Sequence, residues 1–257
     1  MQVVILCGGR GTRMGAESEV LPKPMVPIGE RPILWHIMKR YAAFGHREFV
    51  LCLGYKGDVI RDYFLSYESR NNDVTVELGR AGSVTVHGEH DEQGWTVTLA
   101  ETGPETLTGA RVHRVRRYVR DETFLLTYGD GVCDVDVDAL VRFHRGHGRI
   151  ATVTAVHPPA RFGELILDGG RVEQFSEKPQ VGTGLINGGF FVFEPAIFEY
   201  LSADPRCALE HDPMVRLTRD GELVAFEHRG FWQCMDTVRE LTILRDLWAS
   251  GEAPWRA

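Results

Sequence analysis

The chain opens with five consecutive apolar positions, Val3-Val4-Ile5-Leu6-Cys7, and then breaks into Gly8-Gly9-Arg10-Gly11-Thr12-Arg13. An apolar run without alternation reads as a strand buried on both faces, the habit of a parallel sheet. Helical spacing follows. Ile33, Leu34, Ile37, Met38 and Tyr41 share one face, Pro32 suits the first turn and Gly45 the stop. Glu48 to Leu53 is the next strand. Asp58 is expected to cap a helix through Tyr67 that turns Val59, Ile60, Tyr63 and Phe64 inward. This alternation predicts an α/β fold with a parallel sheet.

Between residues 70 and 110 the pattern changes. Val74-Thr75-Val76, Val84-Thr85-Val86 and Trp95 to Leu99 are short β segments between polar turns, a small β-rich insertion. A helix over 110–119 carries Arg111, Arg114, Arg116 and Arg117 among Val112, Val115 and Val119, with Arg120 just beyond. It reads as a solvated face from which Arg111 alone reaches a ligand. Phe124 to Tyr128 is a core strand that ends in Gly129-Asp130-Gly131. A helix over 136–147, a strand over 149–156 and a hairpin turning at Asp168-Gly169-Gly170 come next. Ile186-Asn187-Gly188-Gly189 leads into the strand Phe190 to Phe193. Helices broken by Pro205 and Pro213, the strand Leu223 to Phe226 and the helix Val238 to Ala249 complete the pattern. With 257 residues, no repeat and no long linker, the expectation is a single domain over 1–257.

Composition narrows the function. A net charge of −7 argues against bulk nucleic-acid binding, so an anionic ligand must be held by locally placed cations. No apolar run reaches the ~20 residues of a membrane span. The five cysteines are odd in number, scattered and without a C-x-x-C pair, which points to a reducing cytoplasm. The pairs His144/His147 and His87/His90 lack a completing ligand set and read as surface histidines.

The chemistry concentrates at strand ends. A glycine turn leaving a parallel strand lets backbone N–H groups approach a phosphate, while Thr12 adds a hydroxyl and Arg13 a forked cation. Lys23 follows between Pro22 and Pro24. Neither of two familiar phosphate loops fits. No Gly-Lys-Ser/Thr closes the turn, and Met14 stands where a dinucleotide fingerprint needs glycine. Asp130, between glycines at a strand's carboxyl end, is a candidate Mg²⁺ ligand. Asp236 either caps the last helix or completes that cation site. Lys178 before Pro179 is a cation on a fixed backbone, Glu177 beside it can accept from sugar hydroxyls, and Asn187 before two glycines offers a donor and an acceptor to a flat or polyhydroxyl ligand.

These motifs, with Trp35-His36-Ile37-Met38, Gly54-Tyr55-Lys56-Gly57, Arg161-Phe162-Gly163 and Phe231-Trp232-Gln233, resemble the sugar-1-phosphate nucleotidyltransferases, most of all the glucose-1-phosphate cytidylyltransferase branch. Leu21 stands where that branch carries a lysine, and Cys207 to Leu217 matches it poorly. The resemblance implies a Rossmann-like nucleotidyltransferase fold, with a nucleotide-binding part over about 1–130 and a sugar-phosphate-binding part over about 131–257. It implies cytidylyl transfer from CTP to glucose 1-phosphate with Mg²⁺, in a cytoplasmic homo-oligomer that binds no membrane. Arg13, Lys23 and Asp130 would be catalytic. Leu6, Gly8, Gly9, Gly11, Thr12, Arg13, Lys23, Thr108, Gly109 and Arg111 would hold the nucleotide. Tyr128, Gly163, Glu177, Lys178, Asn187 and Gly188 would hold the sugar phosphate, and Asp130 and Asp236 the metal. Two rivals stand beside this: the same chemistry with UTP, dTTP or another acceptor, and a non-catalytic regulatory paralogue.

Overall fold

Parallel strands β1 (Gln2–Leu6) and β2 (Glu48–Leu53) flank the helix α1 (Ile33–Ala43) in sequence and pair in register from Gln2/Glu48 to Leu6/Cys52. The computed structural model describes residues 1–9, 11, 21–79, 82–158, 164–169, 171–176 and 184–256. Helices α2 (Gly57–Leu65) and α3 (Tyr67–Asn71) precede a hairpin, β3 (Asp73–Val76) and β4 (Val84–His87). Then come β5 (Thr96–Glu101), α4 (Thr108–Arg114), β6 (Phe124–Tyr128), β7 (Gly131–Cys133), α5 (Val137–His147) and β8 (Ala151–Val156). A second hairpin, β9 (Glu164–Asp168) and β10 (Arg171–Ser176), leads to β11 (Ile186–Asn187) and β12 (Phe191–Phe193). The chain ends with α6 (Asp212–Arg219), β13 (Leu223–His228), β14 (Trp232–Cys234) and α7 (Val238–Ala249).

The main sheet has eight strands in the order β11-β8-β12-β6-β1-β2-β5, with β13 also on β8. β6, β1, β2 and β5 run parallel, so Tyr128, Leu6, Leu53 and Glu101 finish at the same edge. β12 is antiparallel to β6. β11 and β12 both pair with β8, and Asn187-Gly188-Gly189 enters the break between them. β1 explains why an unalternating apolar run was needed. Val3 and Ile5 enter one core with α1 and α7, while Val4 and Leu6 enter a second with Val112, Val115, Phe191 and Ile197. Both faces of the sheet are covered.

Several boundaries differ from the sequence reading. Asp58 does not cap α2. Lys56, at φ 52°, takes the cap position, and Asp58 lies in the first turn, where its charge still favours the helix dipole. The helix also stops at Leu65, and Tyr67 begins α3. The segment after Trp95 is not part of the insertion: β5 docks parallel on β2, because its apolar residues have a sheet edge to cover. Of the three short β segments read as the insertion, the two that form β3 and β4 stand apart from the main sheet, exposed along their whole length. The arginine helix ends at Arg114 and passes into a 3-10 turn over Arg116–Tyr118. Pro213 sits at the start of α6 rather than breaking it, where its missing N–H costs nothing. His144 is buried, bonding Thr152 Oγ1 at 2.8 Å and Glu194 Oε1 at 3.0 Å, so it is not a surface histidine.

Candidate active site

The carboxyl ends of β1 and β6 open on a cleft of about 380 Å³. Leu6, Gly8, Gly9, Lys23, Thr108, Arg111, Tyr128 and Asp130 line it, with Ala208, Glu210 and His211 from the segment before α6. This is where open α/β sheets take ligands. Thr12, Arg13, Gly163, Glu177 and Lys178 lie outside the described residues.

Lys23 sits in a 3-10 turn between prolines and is only 8% exposed. Its Nζ is 2.5 Å from Asp236 Oδ1 and 3.3 Å from Asp130 Oδ2. A two-stranded ribbon brings these acids together although they are far apart in sequence. β7 pairs antiparallel with β14, Cys234 opposite Gly131, and Met235 N–H continues the ladder to Asp130 O at 2.8 Å. Each acid therefore leaves the same end of the ribbon. Asp236 is also not the helix cap. Thr237 fills that position in a capping box, its Oγ1 accepting from Glu240 N while Glu240 Oε2 accepts from Thr237 N at 2.9 Å. Relieved of capping, the Asp236 side chain turns to Lys23. Burial pulls the Lys23 ammonium down, but the two carboxylates outweigh it and hold it above its usual value. Two hard carboxylates converging at a cleft are the donor set Mg²⁺ uses alongside substrate phosphates, so these residues suit that ion.

Arg111 lines the same cleft with a different kind of partner. It is 4% exposed, and its guanidinium donates to Leu53 O at 2.9 Å, Gly8 O at 3.0 Å and Thr102 Oγ1 at 2.6 Å. It braces the ends of β1, β2 and β5. The packing requires glycine at two of these ends, since a Cβ on Gly8 would lie 2.2 Å and one on Gly54 2.3 Å from the guanidinium. Burial pulls this guanidinium down, with no carboxylate bonded to it among the described residues.

Tyr128 Oη is 3.2 Å from Asn187 Nδ2, and Asn187 Oδ1 accepts from Gly189 N–H at 2.9 Å. Gly188 is pinned from both sides, its N–H on Thr154 O at 2.9 Å and its carbonyl taking Trp232 Nε1–H at 2.7 Å. Thr108 opens α4 and faces the cleft, whereas Gly109 faces the 207–209 backbone. Leu21 packs half-buried against the apolar core. The structure thus gathers Leu6, Gly8, Gly9, Lys23, Thr108, Arg111, Tyr128 and Asp130 around one cleft, and Asp236 joins through Lys23.

A family model described as nucleotidyl transferase matches residues 2–241. The chain belongs to that family. It is 49% identical over 257 residues to glucose-1-phosphate cytidylyltransferase of Salmonella typhi, covering 100% of this chain and 99% of that protein. A probable glucose-1-phosphate cytidylyltransferase of Bacillus subtilis is 43% identical over 256 residues, with 100% and 99% covered. Among solved structures, HddC from Yersinia pseudotuberculosis superposes with a TM-score of 0.71 at 23% identity, covering 96% of this chain and 99% of its own. UDP-glucose pyrophosphorylase complexed with UDP-glucose gives a TM-score of 0.70 at 14% identity, with 97% and 98% covered. At those identities the likeness establishes the fold.

Two features of this nucleotidyl transferase escaped the sequence. Glu210 reaches into the cleft and bonds both Tyr128 and Thr108. Its segment carries no motif, and only the contact with α4 reveals it. Cys133, Asp134 and His228 gather within 4.8 Å at the far end of the ribbon, the one such group of three potential metal ligands among the described residues. Asp134 Oδ1 and His228 Nε2 are bonded to each other at 2.8 Å, and burial pushes the Cys133 thiol up to about 12. The Asp134–His228 bond makes the group a packed tie at that end of the ribbon.

Proposed function

We infer that the chain transfers a cytidylyl group from CTP to α-D-glucose 1-phosphate, giving CDP-glucose and pyrophosphate. The observation that carries this is 49% identity across the whole chain to an enzyme of that name. The convergence of Lys23, Asp130 and Asp236 at the cleft supports it chemically. A phosphate oxygen of the sugar phosphate attacks the α-phosphorus of CTP. The new P–O bond forms as the bond to the β-phosphate oxygen breaks, and pyrophosphate leaves. The attacking phosphate is already ionised, so the step needs no general base and no covalent enzyme intermediate. Positioning and charge stabilisation do the catalysis.

In this reading the amides of Gly8, Gly9 and Gly11, with Thr12 and Arg13, hold the β- and γ-phosphates. Lys23 stabilises charge at the α-phosphate and the leaving group. Asp130 and Asp236 would hold Mg²⁺, which when bound neutralises phosphate oxygens. Thr108, Gly109 and Arg111 form the nucleoside side, Arg111 by fixing the Gly8 carbonyl. Tyr128, Asn187 and Gly188, with Gly163, Glu177 and Lys178, form the acceptor side, so the nucleotide is served mainly by residues before about 130 and the sugar phosphate by those after. The reading extends to a homo-oligomer, which rests on the resemblance alone, and to the cytoplasm, which rests on the scattered cysteines.

The test is product identity. Purified protein is given Mg²⁺, glucose 1-phosphate and each nucleoside triphosphate in turn, with pyrophosphate followed and the nucleotide sugar identified by mass. CDP-glucose with CTP is expected. A higher rate with UTP or dTTP would move the base, turnover only with another phosphate would move the acceptor, and CTP binding without turnover would mark a regulatory paralogue.

A further inference from the structure

One carboxylate holds two hydroxyls that line the cleft, one from the start of α4 and one from the end of β6. Glu210 Oε1 accepts from Tyr128 Oη at 2.7 Å, and Glu210 Oε2 accepts from Thr108 Oγ1 at 2.6 Å. The surroundings fix the proton directions. Asn187 Oδ1 takes the Gly189 N–H, which leaves its amide nitrogen to donate to the phenol oxygen. The phenol's single proton then goes to Glu210, an acceptor with none to give. Thr108 Oγ1 likewise accepts from Leu209 N–H at 2.9 Å and donates its own proton to Glu210.

Glu210 is exposed, but its backbone is held in place. The segment before it is stitched onto the first turn of α4, Leu107 N–H to Pro205 O at 2.8 Å and Ala110 N–H to Cys207 O at 3.0 Å. These bonds satisfy helix-start donors that would otherwise lack partners. Gly109 permits the approach, since a Cβ there would lie 2.8 Å from Cys207 Sγ and 3.0 Å from Leu209 N. Leu209 is fully buried. Glu210 therefore leaves an anchored backbone with its side chain aimed across the cleft.

We propose that Glu210 is the positioning residue that joins the nucleotide wall to the sugar-phosphate wall, setting the hydroxyls of Thr108 and Tyr128 for their two substrates. Burial, reinforced by the Glu210 charge, pushes the Tyr128 phenol up, so it stays a protonated donor throughout the working pH range. Because one carboxylate serves both walls, its loss is felt by both substrates, whereas loss of either hydroxyl is felt by one.

This rests on the functional reading above, and the two are separable. Steady-state kinetics are run with whichever nucleotide and acceptor the wild type turns over, so a wrong substrate assignment shows in the wild type and leaves this test intact. Glu210→Ala is expected to raise KM for both substrates about tenfold, the scale of a lost hydrogen bond to a charged group. Thr108→Val should raise the nucleotide KM alone, and Tyr128→Phe the sugar-phosphate KM alone. The Glu210→Ala/Tyr128→Phe pair should raise the sugar-phosphate KM no further than Glu210→Ala, the non-additivity of residues acting through one bond. Glu210→Gln, of the same shape and with one acceptor oxygen, should recover part of both losses, and it replaces the alanine variant if that does not fold. Unchanged KM values in a variant whose thermal midpoint falls would make Glu210 merely structural and overturn the proposal. So would a change in one KM only.

Discussion

Lys23 and Arg111 are two buried cations on the walls of one cleft, and they are compensated in opposite ways. Lys23 faces two full negative charges, Asp130 and Asp236. Arg111 faces neutral carbonyls and a hydroxyl. The first arrangement concentrates charge of both signs at the mouth of the sheet, where a phosphate or a divalent ion can exchange into it. The second spends its bonds on carbonyls and one hydroxyl of this chain and leaves little for a ligand. Burial depth does not separate them. What the partners carry does: charged partners mark the reacting end of the cleft, and backbone partners mark its frame.

The comparison breaks most sharply by mutation. Lys23→Ala should lower turnover by about 10²-fold or more, the scale of one transition-state contact, while the protein still folds and binds nucleotide. Asp236→Asn should behave alike in activity. Arg111→Leu should do the reverse first. It removes the charged bonds that tie Gly8, Leu53 and Thr102 together across the ends of β1, β2 and β5, at a cost of about 2–4 kcal/mol, which scanning calorimetry would read as a midpoint lowered by roughly 5–15 °C. Arg111→Lys should rescue poorly, because one ammonium cannot span acceptors that a planar fork reaches together. Equal effects of the Lys23 and Arg111 substitutions on both turnover and midpoint would erase the distinction.

His144 sharpens the comparison with a smaller effect, as a buried base with no place in the reaction. Burial pulls its imidazole below the usual 6.5, against the opposing pull of Glu194. The unfolded chain therefore takes up the proton first as pH falls, and the folded state loses stability below about 6.5. The midpoint of the wild type should fall from pH 7 to pH 5 more steeply than that of His144→Gln, with turnover at pH 7 little changed. Parallel slopes would remove His144 from the account.

How far the sequence could see follows the same division. The strand at Val3 to Leu6, the parallel order and the helix Val238–Ala249 were legible because long apolar runs and regular periods leave few alternatives. Asp130 was legible as a carboxylate at a strand end. Its meeting with Asp236 was a guess about distance that only the β7–β14 ribbon supplies. Asp58 was misread because the left-handed Lys56 starts the helix two residues early, a conformation no pattern announces. The segment after Trp95 was placed in the insertion because short alternating strands look alike, whether they dock on a sheet edge or stand free. Arg111 was named from the sequence as a ligand-facing cation, but its bracing role, like Glu210, was hidden for a shared reason. Their partners are backbone carbonyls and hydroxyls brought together by tertiary packing, and neither kind of contact leaves a spacing in the chain.

The most direct measurement is pyrophosphate release from CTP and glucose 1-phosphate by the wild type and by Asp130→Asn, each with Mg²⁺ and with excess EDTA, at matched thermal midpoints. The account predicts turnover by the wild type that EDTA abolishes, and a rate about 10²-fold lower or less in Asp130→Asn. Near-normal turnover by Asp130→Asn, or a wild type indifferent to EDTA, would contradict the claim that the carboxylates around Lys23 are the reacting end of the cleft.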